Sequence, residues 1–264
     1  MKYVITRYVI KSPKVKEKLT AVLVTDLHNA DYGRNNKGLL AACKEEKPDL
    51  ILAAGDMLIG NALYDREAGL HFMQSLPGIA PTFCANGNHE RRLKAVESAK
   101  VHAYSSWISA LEKSGVQVVN NRSAALTIKG TKIALYGADL PLRLYRKFRR
   151  PRIRISNLTK NLGLPMKDNL NILIAHNPEF TEEYLDWGAD LAVSGHYHGG
   201  LVRLPFSGRA LLSPYGYFLP KYGVGHFERN GRHAVVSAGL GDHAIPLRIF
   251  DPRELVVIRL IPVS

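Results

Sequence analysis

The sequence predicts an α/β protein built on two packed β-sheets with helices on their outer faces. Three observations carry this. Apolar runs of strand length recur along the 264 residues and break into polar residues at their C-terminal ends. In the first half these runs alternate with segments of helical period. The second half is rich in strands. Hydrophobic residues make up 46%, enough for a substantial core, and no apolar run reaches the ~18–20 residues of a membrane span.

Each element follows in turn. The basic opening "MKYVITRYVIKSPKVKEK" lacks the apolar region and small-residue cleavage site of a secretory signal and reads as a first strand. "LTAVLVTDLH" reads as a buried strand that delivers Asp26 and His28 to a loop. "NKGLLAACKEEKPD" has helical spacing and stops at Pro48. "LILAAGD" is a second buried strand ending at Asp56, and "DREAGLHFMQSL" a helix stopped by Pro77-Gly78. "APTFCANGNHE" is a third strand that breaks into a turn, and "AVESAKVHAYSSWISALEKSG" reads as one helix with a glycine stop. "VQVVNNRSAALTIKGTKIALYGA" reads as strands joined at Lys-Gly. Beyond a basic stretch, "NLNILIAHNPEF" and "DLAVSGHYH" are strands ending in histidines, with the short helix "TEEYLDWGA" between them. "HAVVSAGLGDHAIPLRIFDPRELVVIRL" closes the sheets. A single domain over residues 1–264 is expected, with a basic insertion around 140–165.

Cys43 and Cys84 form no C-x-x-C pair and read as small buried hydrophobes, which fits a reducing compartment. Cytoplasmic location, with peripheral contact to the inner membrane, is the expectation. The net charge of +13 favours phosphorylated substrates, polyanions or an anionic membrane surface.

The chemistry lies in five short blocks: "DLH" (Asp26, His28), "GD" (Asp56), "GNHE" (Asn88, His89), "AH" (His176) and "GHYH" (His196, His198). In each, an apolar strand ends in Asp, Asn or His on a turn, where α/β sheets bind ligands. Any one alone reads as an ordinary turn or capped helix start. Five together would mean repeated burial of polar groups, each costing on the order of 1–3 kcal/mol if unpaired; one metal cluster explains them all. Residues at i and i+2 of a strand point the same way, so each Asp-x-His or His-x-His pair can present two ligands to one place. Such donors suit Mn²⁺, Fe or Zn²⁺.

The five blocks, in this order and over nearly the whole chain, resemble the calcineurin-like metallophosphoesterase superfamily. "GHYHGGLVRLPFSG" and "IPLRIFDPRELVVIRL" look like its bacterial YkuE- and YaeI-type subgroup. The resemblance implies a four-layer sandwich of two mixed sheets between helices, with two divalent metal ions at the sheet ends. It implies Asp26, His28 and His198 at the first metal, Asn88, His176 and His196 at the second, and Asp56 bridging. Two such ions clamp an in-line displacement at phosphorus and lower the pKa of a shared water. His89 would lie at the leaving-group oxygen and donate a proton or hydrogen bond. Manganese is the expected metal. The implied substrate is a phosphodiester or pyrophosphate, small-molecule or lipid-linked, of the UDP-diacylglucosamine type. A nuclease, a cyclic-nucleotide phosphodiesterase and a non-catalytic scaffold are the alternatives; nucleic acid is not favoured.

Two stretches depart from or add to that pattern. Protein phosphatases of the superfamily read Gly-Asp-x-x-Asp-Arg-Gly, whereas here Ile59 stands at the second Asp and the Arg is missing. That argues against a phosphoprotein substrate and leaves His89 without its usual carboxylate. "RLYRKFRRPRIR", residues 143–154, holds seven Arg or Lys and no acid, with Leu144, Tyr145, Phe148 and Ile153 interleaved. It reads as a solvated loop or as a surface for anionic lipid. Residues 206–225, rich in aromatics and Gly, read as a pocket wall or as a loop packed on the core.

Overall fold

The computed structural model describes residues 2–33, 35–98, 101–149, 151–200, 202–205, 207–213, 215–216, 218–242 and 248–263. Of the stretches used above, Met1, 99–100, Arg150, Leu201, Phe206, Pro214, Tyr217 and 243–247 lie outside them.

Two six-stranded mixed sheets form the centre. The first runs in the order β1 (Val4–Lys11), β12 (Glu254–Ile261), β2 (Leu19–Val24), β3 (Leu50–Ala53), β4 (Thr82–Cys84), β5 (Gln117–Val118). The second runs β10 (Gly225–Arg229), β11 (Arg232–Val236), β9 (Leu191–Ser194), β8 (Leu170–Ile174), β7 (Thr131–Gly137), β6 (Ser123–Ile128). In the first sheet β2, β3, β4 and β5 are mutually parallel, as are β7, β8, β9 and β11 in the second.

Strand alternation sorts the apolar residues into three layers. Leu23, Leu52, Ile172 and Val193 point between the sheets and pack together. Their neighbours Val22 and Ile51 face outward against α1 (Lys37–Glu45), α2 (Glu67–Ser75), α3 (Asn88–Ala95) and α4 (Ala103–Lys113), through Leu39, Phe72, Leu93 and Trp107. On the other side Leu173 and Ala192 face α5 (Ile155–Leu162) and α6 (Thr181–Trp187), through Leu158 and Tyr184. The result is the four-layer α/β sandwich. Fully burying one Leu or Ile contributes roughly 1.5–3 kcal/mol, and the inter-sheet layer repeats that many times. No helix among the described residues is long and apolar enough to cross a membrane.

Three elements differ from the sequence reading, the first being α5, a helix packed through Leu158 and Leu162 inside the stretch read as a basic insertion around 140–165. The single helix over "AVESAKVHAYSSWISALEKSG" is two. α3 stops at Ala95, Ser98 bridges Val101, and α4 starts at Ala103. Glu97 makes the break: its carboxylate accepts from Tyr104 N at 2.9 Å and Ser105 Oγ at 2.5 Å, so it caps the second helix instead of continuing the first. The closing strands begin earlier than expected. Asn230 and Gly231 both have positive φ and form a tight hairpin turn, which adds β10 at the sheet edge before β11.

Candidate metal centre

The C-terminal ends of β2, β3, β4, β8 and β9 meet at one side of the sandwich, and each delivers one block. Asp26 lies two residues beyond β2. Thr25 Oγ1 donates to its Oδ2 at 2.8 Å, and the His196 N–H donates to both oxygens at 3.1 and 3.0 Å. Its Oδ1 faces His198 Nε2 at 3.2 Å. His28 and His198 turn their Nε2 atoms toward each other at 3.1 Å. Asp26, His28 and His198 thus offer three ligand atoms within 4.8 Å of one another.

Asp56, His176 and His196 form a second such group, and a third joins His28, Asp56 and His89. Asp56 belongs to both of the latter because its two oxygens do different work. Oδ1 accepts from the His89 N–H at 2.7 Å. Oδ2 is left facing His176 Nε2 at 3.1 Å and His28 Nε2 at 3.9 Å. The His176 Nδ1–H donates to the Ala54 carbonyl at 2.6 Å, which leaves Nε2 as the free ligand nitrogen. Asn88 opens α3, and its Oδ1 is buried. Asn88 Oδ1 and His196 Nε2 have no hydrogen-bond partner among the described residues, and His176 Nε2 faces only Asp56 Oδ2. Buried polar atoms without partners are rare and costly. Two in the cavity that Asp56 also lines fit a divalent cation, and the donor set of nitrogens and carboxylate or amide oxygens suits a transition metal.

Electrostatics point the same way. Burial would raise the Asp26 and Asp56 carboxyls, but the surrounding histidines outweigh it and hold both below their usual range. Burial opposes a charged His176, yet Asp56 and Asp26 push it up to about 10. Burial, with His198 beside it, pushes His28 down to about 3. Two buried carboxylates therefore draw positive charge into this space, while burial keeps His28 and His196 neutral, as ligands must be.

The i, i+2 argument for the paired ligands does not hold. The strands end at Val24 and Ser194, and Asp26, His28, His196 and His198 have φ of 52, 49, 68 and 45°. Left-handed backbone, not strand alternation, aims these side chains. His196 and His198 accordingly diverge, one toward Asp56 and His176, the other toward Asp26 and His28. Close backbone approach needs the motif glycines: a Cβ on Gly87 would lie 2.1 Å from Asp56 Oδ1, and one on Gly195 would lie 2.1 Å from Asp26 Oδ2.

His89 has found a different partner from the one its motif lacks. Its Nδ1 accepts from the Gly60 N–H at 2.8 Å. The proton of the neutral ring is then on Nε2, which faces Asp56 Oδ2 at 3.9 Å. Arg92 Nη1 lies 3.4 Å from the same Nε2, a longer and exposed approach that does not compete with the backbone bond. Burial lowers the His89 pKa, and Asp56 only partly opposes it.

Several supporting residues do more than their sequence signal indicated. Glu90, expected from the sequence as a cap of the following helix, does cap α3 by accepting from Gly87 N at 2.9 Å, and it also accepts from Asp56 N and Met57 N at 2.9 Å, so it ties two ligand turns together. Arg248 Nη2 donates to His198 Nδ1 at 3.3 Å while Nη1 donates to Asp251 Oδ2 at 3.1 Å, so Arg248 braces a ligand ring from the closing segment. Asn177 donates to Leu144 O and Tyr215 Oη and so fixes the turn that carries Tyr145.

The basic stretch divides. Leu144 and Tyr145 are buried, the latter edge-on to His196 at 5.0 Å, and Ile153 packs on the second helical layer. Phe148 alone of the four is exposed. Among the described residues of 206–225, none lines the cavity over the ligands; Tyr215 packs beside Tyr197 and His196, and Pro220 to Tyr222 face a separate groove.

The sequence model of the calcineurin-like phosphoesterases matches residues 19–200. The metallophosphoesterase YkuE of Bacillus subtilis is 27% identical over 262 residues, covering 97% of this chain and 84% of its own. The phosphodiesterase YaeI of Escherichia coli is 28% identical over 222 residues, covering 82% and 72%. Among solved structures, TT1561 of Thermus thermophilus shares the fold at 10% identity, with a TM-score of 0.51 over 85% of this chain and 91% of that one.

Proposed function

The chain belongs to the calcineurin-like phosphoesterase family and is a hydrolase; from that premise we propose that it cleaves a phosphodiester or diphosphate bond with two divalent cations held in one shared site. Asp26, His28 and His198 would hold the first, Asn88, His176 and His196 the second, and Asp56 would join them. The observation that carries this reading is the division of Asp56. One oxygen is tied to backbone while the other faces ring nitrogens of both groups. When bound, the cations supply a nucleophile at neutral pH and neutralise charge on the phosphoryl oxygens. The protein's part is to fix the donors. Thr25 and the His196 N–H orient Asp26, Glu90 holds the Asp56 turn, and Ala54 O sets the His176 tautomer. His89 presents an N–H toward the leaving-group side. Manganese is our first choice, since the donors are nitrogen and oxygen and include no thiolate. The substrate we favour is a phosphorylated small molecule or a lipid-linked diphosphate, met at an anionic membrane surface.

Metal-stripped protein supplied with Mn²⁺ should take up about two ions per chain by elemental analysis and hydrolyse bis(4-nitrophenyl) phosphate. Asp56→Asn should weaken both sites and abolish turnover. His176, held up to about 10, carries a proton at pH 7 that a cation must displace. Uptake should therefore release protons and tighten as pH rises. Folded protein that binds no transition metal after reconstitution rules the proposal out.

A further inference from the structure

The cavity over the ligand cluster measures about 640 Å³, room for more than one phosphoryl group. Arg92 and Lys147 line it from two different segments, α3 and the basic stretch. Arg91 and Lys94, the neighbours of Arg92 on α3, pair with Asp139 at 3.0 and 3.7 Å. Arg92 and Lys147 have no carboxylate within 4 Å among the described residues. The two acids of the outer cavity are already engaged. Asp31 Oδ1 accepts from Gly33 N and Asn36 N at 2.8 and 3.2 Å, and Asp242 pairs with Arg253 and Arg248 at 2.5 and 3.4 Å. Tyr145 adds a third group. It lines the same cavity, and its hydroxyl is buried without a hydrogen-bond partner among the described residues. A phenol hydroxyl carries its proton at neutral pH, so it is a donor.

Beyond the ligands, then, the cavity presents two uncompensated cations and one orphaned donor. We propose that Arg92, Lys147 and the Tyr145 hydroxyl form a subsite for a second phosphoryl group, so that the substrate is a diphosphate diester, R–O–P–O–P–O–R′. The assignment rests on the phosphoesterase reading above and names its substrate class. In the reaction a water oxygen forms a bond to one phosphorus, and the bridging P–O bond to that phosphorus breaks. The electron pair leaves on the bridging oxygen with the second phosphate. One water is consumed, and two phosphomonoesters and the proton or protons of that water are the products. A phosphate monoester has its second pKa near ~6, so this leaving group departs without needing a proton. Arg92, 3.4 Å from His89 Nε2, stands on that side of the site.

The test compares two substrates on one Mn²⁺-reconstituted preparation: ADP-ribose, a diphosphate diester, and bis(4-nitrophenyl) phosphate. The Arg92→Gln, Lys147→Gln double variant should lose at least tenfold more kcat/KM on ADP-ribose than on the diester, chiefly through KM. Lys147→Arg should restore most of it, and Tyr145→Phe should lower the same ratio. Calorimetry with methylenediphosphonate and with inorganic phosphate gives a readout independent of turnover. Wild type should bind the diphosphonate at least tenfold tighter, and the double variant should not. Equal losses on both substrates, or an undiminished preference for diphosphonate, overturns the subsite. Preference for an oligonucleotide over ADP-ribose overturns it in favour of a run of phosphodiesters. If neither substrate is hydrolysed, the phosphoesterase reading fails, and the diphosphonate titration still decides the subsite.

Discussion

At the scale of single residues, His89 separates what a motif says from what a side chain can do. Its presence was legible, and so was the missing carboxylate at Ile59. The substitute was not, because it is the backbone N–H of Gly60, which leaves no trace in side-chain identity. That bond decides the role. A ring whose Nδ1 accepts a hydrogen bond keeps its one proton on Nε2 and acts as a neutral donor to developing charge. An imidazolium acid would need a proton on Nδ1, against the Gly60 N–H. The two roles differ in pH dependence. An imidazolium acid loses rate as pH rises through its pKa, whereas a neutral donor does not. His89→Ala should lower kcat by roughly 10²–10³, the cost of losing one oriented donor, and by the same factor at pH 6 and pH 9. A fall in wild-type kcat between those values that vanishes in His89→Ala would assign the imidazolium instead.

At the scale of elements, the strands and their polar ends were readable because an apolar run followed by Asp or His is a one-dimensional signal. The turns were not. Asp26, His28, Asp56, His196 and His198 all adopt positive φ, a conformation Asp and His tolerate but that nothing in the one-dimensional pattern requires at these positions. The split between α3 and α4 escaped for a similar reason: the helical pattern runs on through Val96, and only the capping bonds of Glu97 end it. The ligand turns also depend on contact between them. Gly87 has ordinary extended φ and ψ of −94 and −169°, so alanine suits its backbone. What alanine cannot avoid is Asp56 Oδ1 at 2.1 Å. Gly87→Ala should therefore fold and yet lose metal, with apparent Mn²⁺ affinity down at least tenfold by equilibrium dialysis. Gly78→Ala, where an added Cβ meets nothing within 4 Å, is the control and should bind as wild type does. Equal affinities in the two variants would show that the Asp56 turn yields at little cost.

At the scale of the whole molecule, the inter-sheet core draws on residues from both halves of the chain. The charge of +13 belongs to this scale too, since it says nothing about fold. The basic stretch gives it a location. Arg146, Arg149, Arg152 and Arg154 are exposed, outside the ligand cavity, and beside Phe148, which is 82% exposed. Leu144 and Tyr145 turn inward, so any membrane contact rests on these arginines and one aromatic ring rather than on the full interleaved pattern. Each arginine near an anionic bilayer contributes on the order of 1 kcal/mol, and salt shortens the reach of that attraction. The chain should co-sediment with vesicles containing anionic lipid at low salt, less at moderate salt, and little with neutral vesicles. Replacing the four arginines by serine should abolish sedimentation and leave hydrolysis of bis(4-nitrophenyl) phosphate intact, because none of them lines the cavity. Phe148→Ser should weaken sedimentation without changing its salt dependence, since it removes apolar contact and no charge. If the four-arginine variant and wild type sediment alike at both salt concentrations, the stretch is a solvated loop, and the diphosphate must reach Arg92 and Lys147 from solution.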